Sequence, residues 1–218
     1  MNLGLLSIIF VLSILALFFW YFERKALSSK EVTVVAVLSS FAVVGRLAFA
    51  AVPSVQFTTF VVLISGYVFG STSGFSVGCI AALVSNFFLG QGPWTPWQML
   101  AWGLCGGTAG IAARCRCRSP RVVLVLLGLV WGYLFGWIMN VWMWLTFVHP
   151  LNLSTWLAVN AASFPHDTGH AVSNIIFAAL FGGDFVRILT RFKKRFHATF
   201  NANERGATNP DSVQANNT

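Results

Sequence analysis

The chain has 218 residues, 56% of them hydrophobic, and only 9% are Asp, Glu, Lys or Arg. An ordinary soluble domain carries about 25% charged residues, so this composition excludes a soluble fold and predicts one membrane-embedded domain. The net charge of +8 does not point to nucleic acid: every Lys and Arg except Arg46 falls in segments 24–30, 114–121 and 187–205, and no stripe of cations interleaved with aromatics runs along the chain.

Apolar runs at 3–22, 32–52, 54–70, 72–90, 96–113, 122–148 and 165–190 predict transmembrane helices. A helix of about 20 residues crosses the hydrocarbon layer. The first run has no basic flank before it and reads as a retained span rather than a cleaved signal. The third and fourth runs meet at a tight Gly70-Ser71-Thr72-Ser73-Gly74 turn, and the sixth is long enough to tilt. The gap 149–164 reads as a place for an interfacial helix, and residues 196–218 as a disordered polar tail. No stretch alternates with period two, which excludes a β-barrel.

The cations set an expected orientation. With seven spans, the loops 23–31 and 114–121 and the C-terminal segment all face one side, which the positive-inside rule makes cytoplasmic and which puts the N-terminus outside. Glycine rows mark expected helix contacts: Gly66, Gly70, Gly74 and Gly78 with Ala82, then Gly106 and Gly110, then Gly128, Gly132 and Gly136. Cys79 and Cys105 lie in apolar runs, and Cys115 and Cys117 flank Arg116 in a basic loop, without the paired spacing of a zinc site.

The opposite ends of the spans hold Arg46, Asn86, Gln91, Trp94, Trp97, Gln98, Asn140, Trp144, His149, Asn152, Asn160, His166, Asp167, His170 and Asn174. Hydrogen-bonding groups beside aromatic rings are how small organic ligands are held. Arg46 lies inside its span, where a charge costs about 2.5–3.5 kcal/mol; it either snorkels to the surface or meets an anionic ligand group or Asp167. His166 and His170 share one helical face with Asn174 a turn further on. His166, Asp167 and His170 read as a metal site, as a polar cap closing a ligand pocket, or as a structurally satisfied cluster. In Asn86–Gln98, two prolines and two glycines shape a loop, with Thr95 as an N-cap and Pro96 and Gln98 in the first turn. Trp94 and Trp97 suit either the interfacial belt or a pocket wall.

Three stretches, GRLAFAAVPSVQ at 45–56, ALVSNFFLGQGPWTPWQMLAWG at 82–103 and HDTGHAVSN at 166–174, resemble the substrate-binding S components of energy-coupling factor (ECF) vitamin transporters. The resemblance covers 32–190 and implies an all-α integral membrane protein, with a six-helix S-component-like core at 31–195 and one extra N-terminal transmembrane helix within 1–30. It implies a bacterial plasma-membrane subunit that captures a vitamin outside, with cobalamin as the first guess and riboflavin or a pyrimidine precursor next. Uptake would need a membrane coupling protein and two cytoplasmic ATPases; the chain has no phosphate-binding loop, and no cofactor is expected. The family's Ala-x-x-x-Ala contact with the coupling protein is matched here only by Ala36-x-x-x-Ser40.

Three other functions compete. A rhomboid-like intramembrane protease would use Gly74-Phe75-Ser76-Val77-Gly78 and His170, but these fall toward opposite membrane faces and a nucleophile needs its base within hydrogen-bond reach. A metal or proton permease would use His166, Asp167 and His170, and a structural scaffold would leave the polar ends without a role.

Overall fold

The computed structural model describes residues 3–24, 28–115 and 119–207, with side chains as far as residue 195. Seven helices fill the described residues and no strand occurs among them: α1 Leu3–Arg24, α2 Ser29–Ala48, α3 Phe57–Phe69, α4 Ser71–Leu89, α5 Thr95–Ala112, α6 Pro120–Phe147 and α7 Leu153–Ala207. Five of them, α1, α2, α4, α6 and α7, are long and apolar enough to cross a membrane. The expected third span is the shorter 13-residue α3, and the glycine-rich α5 is less apolar than the other five.

Local chemistry sets the boundaries. Ser28 and Glu31 close a reciprocal capping box at the start of α2. Gly70 and Gly90 end α3 and α4 at φ of +100° and +109°, where a Cβ is strained. Glycines set the spacing of the core helices. A Cβ on Gly74 would lie 2.6 Å from the Gly106 carbonyl oxygen, and one on Gly66 would strike the same atom, so α3, α4 and α5 touch backbone to backbone. Gly128, Gly132 and Gly136 meet Asn174, Ala171 and Asp167, which seats α6 along α7.

The interfacial helix expected in 149–164 is not a separate element. Asn152 Oδ1 accepts from the Thr155 N–H at 2.9 Å, capping a helix that starts at Leu153 and runs through Pro165 without a break. Proline removes only one donor, and a neighbouring helix compensates for such losses in membrane proteins. The polar tail expected from 196 is helical backbone as far as Ala207; 208–218, like Cys117 in the basic loop, lies outside the described residues.

Chain direction alternates, so two unlike ends form. The C-terminal ends of α2, α4 and α6 gather with the N-terminal ends of α3, α5 and α7, joined by side-chain bonds from Arg46, Asn86, Asn140 and His170. Arg24, Lys30, Arg121, Arg187, Arg191 and Lys194 lie toward the other end. α1 packs on α5 and α6 through a narrow stripe of Gly4, Ser7, Val11 and Leu15.

Candidate functional site

Arg46, in the last turn of α2, reaches across to α4 and α5. Its Nη1 donates to Ser85 Oγ and to Asn86 Oδ1 at 2.7 Å, and its Nη2 lies 3.5 Å from Gln98 Oε1. Asn86 Nδ2 donates to Gln98 Oε1 at 2.8 Å and to Thr95 Oγ1 at 2.9 Å, and Thr95 Oγ1 donates to Gln91 Oε1 at 2.9 Å. Gln91 in turn donates to the Leu83 carbonyl at 3.0 Å, pinning the loop back onto α4. The guanidinium therefore has neutral acceptors only, and the alternative of a contact with Asp167 is not realised. Its positive charge remains uncompensated by any carboxylate in the cluster.

Trp102, one turn beyond Gln98, carries the cluster deeper. The Arg46 guanidinium stands 4.7 Å over the Trp102 ring, a cation–π arrangement. Trp102 Nε1 donates to Thr59 Oγ1 at 3.0 Å, and Thr59 is 2.9 Å from His170 Nε2. A continuous polar path thus joins α2, α4, α5, α3 and α7. Ser85, Thr59 and Trp102 were not among the residues expected from sequence. Ser85 adjoins Asn86, and Trp102 falls four residues after Gln98, so both spacings were available.

A second cluster ties α6 to α7. Asn140 Nδ2 donates to Ser163 Oγ at 2.7 Å and to Asn160 Oδ1 at 3.1 Å, and Ser163 donates to Asp167 Oδ2 at 2.8 Å. Asp167 is buried against Gly136, while His166 is exposed and 3.8 Å from its carboxylate. Trp144 Nε1 donates to Thr155 Oγ1 at 2.9 Å, with the Trp156 ring 5.5 Å away. Two clefts open here. One, of about 490 Å3, is lined by Asn140, Met143, Thr155 and Ser163; the other, of about 390 Å3, by Trp144, Asn152 and Trp156.

The expected residues therefore divide. Arg46, Asn86, Gln91 and Gln98 converge, and His170 joins them through Thr59 and Trp102. Asn140, Asp167 and His166 form the second cluster, and Trp144 flanks it. Trp94 packs toward α6, its ring 6.0 Å from that of Trp142. Trp97 sits apart: it packs with Val11 and Leu15 of α1 and Cys79 of α4, and its buried Nε1 has no hydrogen-bond partner. Asn174 donates to the Gly128 carbonyl at 3.2 Å and serves the α6–α7 seam. His149 is exposed at the α6–α7 turn. Thr95 does not cap α5, since its hydroxyl is engaged with Gln91 and accepts from the Gly92 N–H at 3.3 Å.

The competing chemistries meet different geometry. Ser76 Oγ donates to the Thr72 carbonyl at 3.0 Å, whereas His170 bonds Thr59, so the protease pairing is not made. Among the described residues, no group of three His, Cys, Asp or Glu side chains is arranged to hold a metal ion.

A polar end built on a six-helix core, α2 to α7, with the extra α1 outside it, is the arrangement the sequence resemblance implied. Residues 30–191 match the family model for the ECF transporter, substrate-specific component. The chain belongs to this family. Its general role is that of the substrate-binding membrane component of a transporter, working with an ECF module. No curated protein and no solved structure matches the chain. The family match begins at the second residue of α2, so α1 stands outside the shared core.

Proposed function

We propose that this substrate-specific component captures a vitamin-class micronutrient at the end that carries Arg46, Asn86 and Gln98. The observation that carries the reading is the Arg46 cluster itself. A cation held by neutral side chains over a buried indole, with Gln91 and Gln98 at its rim, offers charge and hydrogen bonds to one small ligand. A ligand carboxylate, phosphate or ring carbonyl would accept from Arg46 and Asn86 Nδ2 in place of Gln98 Oε1. A cleft of about 490 Å3 opens at the same end between α6 and α7, lined by Asn140 and Ser163 of the second cluster. The candidate ligands are cobalamin, first suggested by resemblance, and riboflavin or a pyrimidine precursor.

In this reading the Arg46 end faces outward, the N-terminus is outside and the cation-bearing end is cytoplasmic, in line with the positive-inside rule. A membrane coupling protein and two ATPases supply the energy for uptake. Ala36 and Ser40 form the coupling contact: both are exposed, and the Ser40 hydroxyl is satisfied by the Ala36 carbonyl at 2.9 Å, which leaves a small, dry face for close helix approach. Equilibrium binding to the purified chain without ATP tests the proposal. Cobalamin, riboflavin and thiamine-type pyrimidines are titrated against the parent and Arg46→Gln. Tight binding of one of them, weakened tenfold or more by Arg46→Gln, is expected. Binding of none, or equal affinity in the variant, contradicts the site.

A further inference from the structure

At the end opposite the Arg46 cluster, α6 and α7 enclose a cleft of about 560 Å3. Arg121 enters it from α6, and Arg187, Arg191 and Lys194 from α7, with Ser119 and Thr190 between them. The α7 cations recur at spacings of four and three, so they share one helical face. Gly183 admits the Arg121 side chain to the α7 surface: a Cβ there would lie 3.2 Å from Nη2. The cleft lining contains no carboxylate. The nearby Asp184 lies 3.6 Å from Arg187 with both side chains mostly exposed, an arrangement worth little in energy. Ser119, the N-cap of α6, makes no side-chain capping bond, so the positive end of that helix adds to the same field.

We propose that this cleft binds the phosphate of an anionic phospholipid headgroup. Four cations and a helix N-terminus suit a phosphate of either lipid or soluble origin. Two features favour the lipid. Pro120 and Val186 line the cleft among the cations, which gives it an apolar wall beside the charges. The cleft also sits at the terminus of two spanning helices, the depth at which headgroups lie. The site is independent of vitamin capture, which takes place at the other end of the bundle.

The test is native mass spectrometry of the full chain with phosphatidylglycerol or phosphatidylcholine added to the micelle. Arg187→Gln/Arg191→Gln and Lys30→Gln, the latter at the same end but outside the cleft, are compared. Each juxtamembrane cation contributes roughly a fivefold gain in affinity for anionic lipid, so the double variant is expected to lose phosphatidylglycerol by about 25-fold. Lys30→Gln is expected to retain most of it. Equal retention of both lipids, or equal loss in Lys30→Gln, overturns the proposal. Displacement of the lipid by an equal concentration of inorganic phosphate also overturns it, by assigning the cleft to a soluble anion.

Discussion

Arg46 carries a charge into the last turn of α2, where insertion costs less than the roughly 2.5–3.5 kcal/mol of a span's centre, and it meets that cost with three neutral acceptors and an indole face. Hydrogen bonds to a charged group contribute about 1.5–3 kcal/mol each, so the cluster holds itself together without a counter-ion. Asn86 is its hinge, since it accepts from Arg46 and donates to both Thr95 and Gln98. Asn86→Ala is expected to lose about 1–3 kcal/mol of stability through the partners left unpaired, measured as thermal unfolding in detergent. Loss of ligand binding should exceed the loss of folded protein. Glycine spacing offers a sharper residue-scale contrast. Gly136→Ala drives a methyl group into the Asp167 carboxylate and is expected to destabilise by about 1–3 kcal/mol. Gly107→Ala has no neighbour closer than 3.7 Å and is expected to be neutral or stabilising by up to about 1 kcal/mol. Equal melting shifts in the two variants would contradict this account of the α6–α7 seam. At this scale the sequence revealed the polar side chains that stand out against an apolar background, Arg46, Asn86 and Gln98 among them. It did not reveal Thr59, an unremarkable type whose partners Trp102 and His170 lie 43 and 111 residues away.

Among elements, α1 and α7 depart most from a simple six-helix plan. α1 buries only Gly4, Ser7, Val11 and Leu15, and under it lie the indole N–H groups of Trp97 and Trp142 and the hydroxyl of Thr146, all without partners. A helix seated on unsatisfied donors contributes little to the bundle. Deletion of residues 1–27 is therefore expected to leave a folded, membrane-inserted protein with its ligand affinity within about threefold, read by size-exclusion profile and binding titration; collapse of the bundle would show that α1 belongs to the core. α7 shows why its boundary was hard to read. Pro165 and the polar stretch before it suggest an interruption, but the Asn152–Thr155 cap starts the helix earlier and the α6 glycine row supports it past the proline. Hydrophobic periodicity locates the length of a span; it does not tell whether a neighbouring helix supports a turn that lacks one hydrogen bond.

On the scale of the whole molecule, the two ends differ in chemistry, and that difference was the most legible feature of the sequence. Cations outside Arg46 flank the spans in three short segments, and the loops at the opposite end hold none. Alternating chain direction turns this linear pattern into two faces of one bundle, one cationic and one built of amides, hydroxyls and rings. What the pattern could not supply is the grouping within the second face, where Arg46 and Asp167 fall into separate clusters and Trp97 turns toward α1. The family match over 30–191 agrees with the core, and it assigns the general role without naming a ligand. The most direct measurement is mass spectrometry of the small molecule that copurifies with the chain from vitamin-supplemented cells, run beside Arg46→Gln. The account predicts one vitamin-class compound retained at near-stoichiometric ratio by the parent and lost from the variant. A parent protein that is folded yet carries no such compound, or a variant that retains it undiminished, would contradict it.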